Sequence, residues 1–252
     1  VLYYIKYMKG GLLYFHQGWT DIINSIALIN YYSRLYDNIY LLMRSEAKEI
    51  VDFYTRTLTN IKIIYIPKNK INCVPDVFNY LRLSNYNQVD FLEKSLHRLF
   101  IGCHDNYRND LYKGKFNGFF VNAFYTSYDI PYITRINDFT FKRDYDLEDN
   151  EYEKFIEKHG NKYILYHEVI ENYDKSIKIV NLNGISDVFF DMIKIIENSV
   201  EIHLLDSVWG AFIYQLDAKY RLFKNKKIVL YAKRGYTQMF TEPIKLDNWI
   251  MK

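Results

Sequence analysis

Glu201-Ile202-His203-Leu204-Leu205-Asp206-Ser207-Val208-Trp209-Gly210 passes from an apolar, strand-like run into polar residues that open an amphipathic helix. Far upstream, Tyr14-Phe15-His16-Gln17-Gly18-Trp19-Thr20-Asp21-Ile22-Ile23-Asn24 has the same pattern. In open α/β sheets ligands bind at the carboxyl ends of strands, and helix N-termini there offer N–H groups to anions. Two such junctions in two halves of one chain predict a cleft that holds a phosphate-bearing donor and a second reactant.

Working outward, short apolar runs alternate with helical patterns. Strands are expected over residues 12–16, 39–43, 61–66, 99–103, 163–167, 177–182, 200–205 and 227–232. Their β-branched and aromatic composition suits strands buried on both faces. Between them Ile22, Ile26 and Ile29 recur at helical spacing, as do Ile50, Phe53 and Tyr54. Phe189, Phe190, Ile193 and Ile196 follow Ser186, and Trp209, Phe212, Ile213 and Leu216 follow Asp206, both good N-cap residues. This alternation reads as βαβ units and parallel sheets. A polar, acidic stretch around Asp144-Tyr145-Asp146 leads to a helix stop at Lys158-His159-Gly160, and a fresh strand follows. The expected architecture is therefore α/β, with two Rossmann-like domains facing across a cleft. Residues 1–158 form the acceptor side, with a helical insert around 116–128, and residues 159–252 form a smaller donor side.

Composition narrows the function classes. With 33 basic against 30 acidic residues in 252, the net charge is +3, too balanced for a nucleic-acid binder. The 26 tyrosines accord with codon bias, since Tyr, Ile, Asn, Lys and Phe share AT-rich codons; a stacking role for a few remains an alternative. Two cysteines, Cys73 and Cys103, cannot staple a chain of this size, which predicts a reduced, cytoplasmic protein. No run approaches the roughly 18 consecutive apolar residues of a membrane span. The sequence starts at Val1 with no signal-cleavage pattern, which reads as a fragment edge with Met8 as one candidate natural start.

The two junctions carry the candidate chemistry. As an N-cap, Asp206 would stabilise its helix by ~1 kcal/mol with no further role. In the functional reading, Ser207 and the amides of Val208 and Trp209 cradle a diphosphate, with Asp206 turned to the backbone or to a ribose hydroxyl. At the first junction, Gly18 permits a tight turn and Asp21 lies in the first helical turn. Asp21 is either an electrostatic helix start or a general base taking a proton from an acceptor hydroxyl, with His16 as its understudy. Trp19, Thr20, Asn24 and His167 are expected to line the acceptor side of the cleft. Lys233 and Arg234 are donor-pyrophosphate candidates, and Asn181, Asn183 and Gly184 are candidates for the base or ribose pocket. His203, interior to a strand, is expected to pack or make a structural hydrogen bond. The Asp144-Tyr145-Asp146 stretch reads as a solvated linker rather than a metal–nucleotide motif. No GxGxxG, Walker A or Gly-x-Ser-x-Gly pattern is present.

On these residues the chain resembles GT-B-fold glycosyltransferases, in particular heptosyltransferase-like and viral or metagenomic relatives. Gly18-Trp19-Thr20-Asp21-Ile22-Ile23 is similar to the family's N-terminal glycine-and-aspartate turn, with Thr20 where the family has Gly before the base. Residues 195–207, ending in Asp206-Ser207, are similar to the donor-domain strand that binds the sugar-nucleotide phosphates. Tyr231-Ala232-Lys233-Arg234 is similar to a basic segment of some relatives. The resemblance implies inverting, metal-independent sugar transfer from a nucleotide-diphosphate sugar to a glycan or glycoconjugate hydroxyl. It implies no cofactor beyond that donor, no nucleic acid and no membrane span. Two alternatives stand beside it: a nucleotide-sugar epimerase of the same architecture, and a non-catalytic glycan- or nucleotide-binding module.

Overall fold

A computed structural model describes residues 10–15, 18–67, 96–101, 120–126, 128–186, 188–232 and 244–252. The chain divides between Phe141 and Lys142 into two compact units. In the first, strands β1 (Gly10–Phe15), β2 (Asn38–Arg44), β3 (Ile61–Ile66) and β4 (Leu96–Ile101) form a sheet in the order β3-β2-β1-β4. Every pairing is parallel, with Leu12 opposite Tyr40 and Arg98. Because parallel strands need long crossovers, helix α1 (Trp19–Ser33) follows β1 and α2 (Lys48–Thr55) follows β2.

Helix α1 is buried without interruption from Asp21 to Asn30, the mark of a helix covered all round. Sheet strands lie on one side of it, and α3 (Phe120–Thr126) and α4 (Thr134–Asn137) cover it elsewhere. Polar groups that enter this packing are bonded across it. The Asn30 amide donates to the carbonyls of Asp138 (2.9 Å) and Thr140 (2.7 Å), and the Tyr125 hydroxyl donates to the Asn24 carbonyl (2.7 Å).

The second unit holds β5 (Tyr163–Tyr166), β6 (Lys178–Asn181), β7 (Glu201–Leu205), β8 (Lys227–Tyr231) and β9 (Trp249–Met251) in the order β6-β5-β7-β8-β9, again all parallel. The ninth strand, three residues at the sheet edge, was not expected. The acidic stretch is also more ordered than a linker. Asp144 Oδ1 accepts from Leu147 N (3.2 Å) as the N-cap of α5 (Tyr145–His159), which packs against α6 (Ile193–Asn198). Glu148 on α5 is buried because Arg143 pairs with it and reaches on to Glu197 of α6. Burial nevertheless pushes the Glu148 carboxyl above its usual range, against the pull of Arg143.

Helix α7 (Val208–Tyr220) is the counterpart of α1, buried from Trp209 to Ala218. Its fully buried Asp217 ties the helix end to the edge strand. One carboxylate oxygen accepts from Phe223 N (3.0 Å); the other accepts from Asn248 Nδ2 (3.0 Å) and Trp249 Nε1 (2.9 Å). Removing this carboxylate leaves Phe223 N and Trp249 Nε1 without that acceptor, while Asn248 Nδ2 keeps the carbonyls of Phe223 and Lys226, so Asp217→Ala is expected to destabilise the second unit by about 2 kcal/mol. Urea unfolding followed by Trp fluorescence measures this; a loss under ~1 kcal/mol would mean that β9 is held by other contacts.

Candidate functional site

In each unit the strand order reverses once. In the first it reverses between β1 and β4, in the second between β5 and β7. Such reversals open a crevice at the carboxyl edge of a doubly wound sheet, and the expected junctions stand there. After β1, Gly18 is the N-cap of α1, and its carbonyl accepts from Asp21 N and Ile22 N, both at 3.0 Å. Asp21 returns a bond, its Oδ2 accepting from Gly18 N (3.2 Å). This is the side-chain half of a capping box, and it leaves Asp21 only 7% exposed. A Cβ on residue 18 would lie 2.7 Å from Asp21 Oδ2, so glycine is required by the carboxylate's approach rather than by an unusual backbone.

The neighbours divide. Trp19 is exposed (45%) at the first helical position and Thr20 is half-buried. Asn24 is fully buried, and its Oδ1 accepts from Arg135 Nε (3.1 Å). The buried Arg135 also donates to the Tyr132 hydroxyl (2.9 Å). Asn24 thus serves the interior of the first unit. Arg135 carried no sequence signal, since nothing in its surroundings marks a buried arginine.

At the second junction Ser207, not Asp206, is the N-cap of α7, and its carbonyl accepts from Ala211 N (2.9 Å). Two turn residues separate β7 from the helix, and Asp206, buried, spends its backbone N–H on the Tyr231 carbonyl (3.2 Å). Ser207 makes no capping bond with its side chain. Its Oγ instead lies 3.1 Å from His167 Nδ1, at the end of β5. The other ring nitrogen of His167 is 3.6 Å from Glu168 Oε1, and Glu168 has a left-handed backbone (φ 61°), uncommon for a non-glycine residue. Val208 is half-buried; Trp209 is buried and meets the Phe189 ring edge-on at 4.4 Å. Val208 and Trp209 contribute first-turn amides, which have no intrahelical acceptor.

Asn181 and Asn183, at the end of β6, form a local turn in which Asn183 N donates to Asn181 Oδ1 (2.9 Å), and Gly184 (φ 81°) completes it. That bond is structural, and the exposed Asn183 and Gly184 leave a ligand contact there open. His16, Lys233 and Arg234 lie outside the described residues, as do both cysteines. Among the described residues no group of three or more His, Cys, Asp or Glu side chains is placed to hold a metal ion, and no helix is long and apolar enough to cross a membrane.

His203 is buried within β7, as its strand position predicts. Its Nε2 meets Glu201 Oε1 (2.8 Å) and its Nδ1 meets the Tyr231 hydroxyl (2.9 Å). Tyr231 in turn accepts from Glu171 N (3.1 Å), anchoring the loop that follows His167. Val169 of the same loop packs on Leu205, Val229 and Tyr231. Tyr231, unremarkable in sequence, is thus what holds the loop behind His167.

Burial lowers the affinity of His203 for a proton, outweighing the opposing pull of Glu201. Its folded-state value is therefore below the unfolded value of about 6.5. As pH falls through that window the unfolded chain binds the proton first, so stability present at neutral pH is lost on acidification. Melting temperatures measured from pH 7.5 downward are expected to fall below about pH 6.5, and His203→Gln is expected to flatten that slope. An unchanged slope would assign the dependence to other groups.

Comparison with protein-family models, with curated proteins and with solved structures finds no match to this chain.

Proposed function

We propose that the chain is a GT-B-type glycosyltransferase that moves a sugar from a nucleotide-diphosphate sugar to a hydroxyl of a glycan or glycoconjugate, with inversion and without a bound metal. One observation carries this reading. In both units a strand-to-helix junction rich in polar groups lies at the carboxyl edge where a parallel sheet reverses its order. The second unit would bind the donor: the α7 first-turn amides and Ser207 would meet the diphosphate, assisted by the helix dipole. Lys233 and Arg234 would add charge where negative charge develops on the departing group. The first unit would supply Asp21 as the base that takes the acceptor's proton.

A second reading, a non-catalytic glycan- or nucleotide-binding module, is favoured by one specific contact. The Asp21 carboxylate already serves Gly18 N as a helix cap, a role that needs no acceptor. The two readings differ in turnover. Under the transferase reading, a nucleoside diphosphate (UDP, GDP or ADP) raises the melting temperature without Mg²⁺, and the matching sugar conjugate is consumed when a glycan acceptor is added. Asp21→Asn is expected to lower transfer by about 10²–10⁴-fold, the range of a lost general base, while nucleotide binding persists. Binding without any turnover would leave the module.

Gly18→Ala separates these roles further. Its methyl group displaces the Asp21 carboxylate rather than backbone, because the atom it meets is the end of that side chain. Transfer is expected to fall at least tenfold, with a stability loss of only ~1 kcal/mol, on the scale of a capping bond. Wild-type kinetics in Gly18→Ala, at a melting temperature near that of the parent, would remove Asp21 from the chemistry.

A further inference from the structure

The N-cap position of α7 holds a buried hydroxyl that does not cap. Ser207 and His167 are 7% and 5% exposed, and Ser207 Oγ is 3.1 Å from His167 Nδ1. Glu168 Oε1, 3.6 Å from Nε2, is too far for a hydrogen bond but close enough to favour the N–H on that nitrogen in the neutral ring. Nδ1 is then the acceptor and Ser207 the donor. The single proton of Ser207 is thus committed to the ring. It becomes available to a ligand only when the ring is an imidazolium and Nδ1–H points back at Oγ.

The backbone around His167 is held in place. His167 N donates to the His203 carbonyl (2.9 Å), Val169 N to the His167 carbonyl (2.8 Å), and Glu171 N to Tyr231 in the loop beyond. The titratable groups on the flanking elements are Glu168 on its own turn, His203 and Asp206 on β7 and the turn after it, and Tyr231 on β8. Of these, Glu168 lies 3.6 Å from the ring through Oε1, and the His203 ring is engaged by Glu201 and Tyr231.

We propose that His167, acting through Ser207, supplies a proton to the departing diphosphate; this rests on the donor-site reading above. The bond from the anomeric carbon to the diphosphate oxygen breaks, and its electron pair goes to that oxygen. Ser207 Oγ–H passes its proton there while His167 Nδ1–H passes its own to Oγ. The acceptor oxygen bonds to the anomeric carbon and loses its proton to a base, and His167 recovers a proton from water after release. His167 is a positioning residue in this scheme, and Ser207 is the group that touches the substrate.

Long-range ¹H–¹⁵N spectra of the labelled full chain, titrated with and without inorganic pyrophosphate, test this; the His167 signal is assigned by its loss in His167→Gln. The neutral ring is expected as the Nε2–H tautomer, and pyrophosphate is expected to raise its titration midpoint by about one pH unit, a tenfold gain in proton affinity. Ser207→Ala is expected to abolish that rise and Ser207→Thr, which keeps the hydroxyl, to retain it. An Nδ1–H tautomer, or pyrophosphate shifts at the Val208 and Trp209 amides with the His167 titration unmoved, would overturn the relay and leave the donor site standing. No pyrophosphate response anywhere would overturn the donor site and the relay together.

Discussion

Parallel pairing of the strands is the constraint from which the rest follows. A parallel neighbour is reached only by a crossover long enough to carry a helix, so the strand-to-helix turns of each sheet collect at its carboxyl edge. Both faces of such a sheet are then covered, which is why β5 (Tyr163-Ile164-Leu165-Tyr166) and β8 (Ile228-Val229-Leu230-Tyr231 after Lys227) are nearly continuous apolar runs. A sheet that reverses its order also parts two neighbouring turns at the reversal. The turns after β1 and β7 stand at those reversals because β1 borders the β1–β4 reversal in one sheet and β7 the β5–β7 reversal in the other.

Covering the sheets obliges polar groups to enter the interior, and in each unit some of them are joined in a connected network. A buried polar atom without a partner costs about 1–3 kcal/mol, so Asn24, Arg135 and Tyr132 are linked, as are Glu201, His203, Tyr231 and the Glu171 backbone. The second network also does more than satisfy donors. Tyr231 reaches the loop that carries His167 and Glu168, so a bond within the sheet fixes the turn at its edge.

Much of this was legible in the sequence, for identifiable reasons. Each of the eight expected strands has an observed counterpart, because short apolar runs between turn residues are the strongest local signal a buried strand leaves. The third strand's bounds were met at both ends, whereas the fourth lies earlier than expected, at Leu96–Ile101, its amino end carrying the polar His97 and Arg98. β9 was missed because three residues are too few for any periodicity. Helix α5 was read only through its stop signal: of its fifteen residues Glu148 and Phe155 alone are buried, and a carboxylate buried by an arginine leaves no apolar stripe. At the sites, residue types were legible but partners were not. Nothing local told that Asp206 would precede the cap, that Asn24 would face Arg135, or that His167 would meet Ser207 from another strand.

The two junctions differ in a way that bears on function. Asp21 makes the bond expected of its place in a first helical turn, and a carboxylate so placed is accounted for by stability alone. Ser207 does not: a serine at an N-cap ordinarily satisfies an amide of the first turn at a gain of ~1 kcal/mol, and here the hydroxyl turns to a histidine across the strand reversal. That forgone bond leaves the first-turn amides of α7 without a side-chain acceptor from their own cap. The residue that departs from its structural role carries more information about chemistry than the one that fulfils it, and on that ground the second junction is the better-marked site.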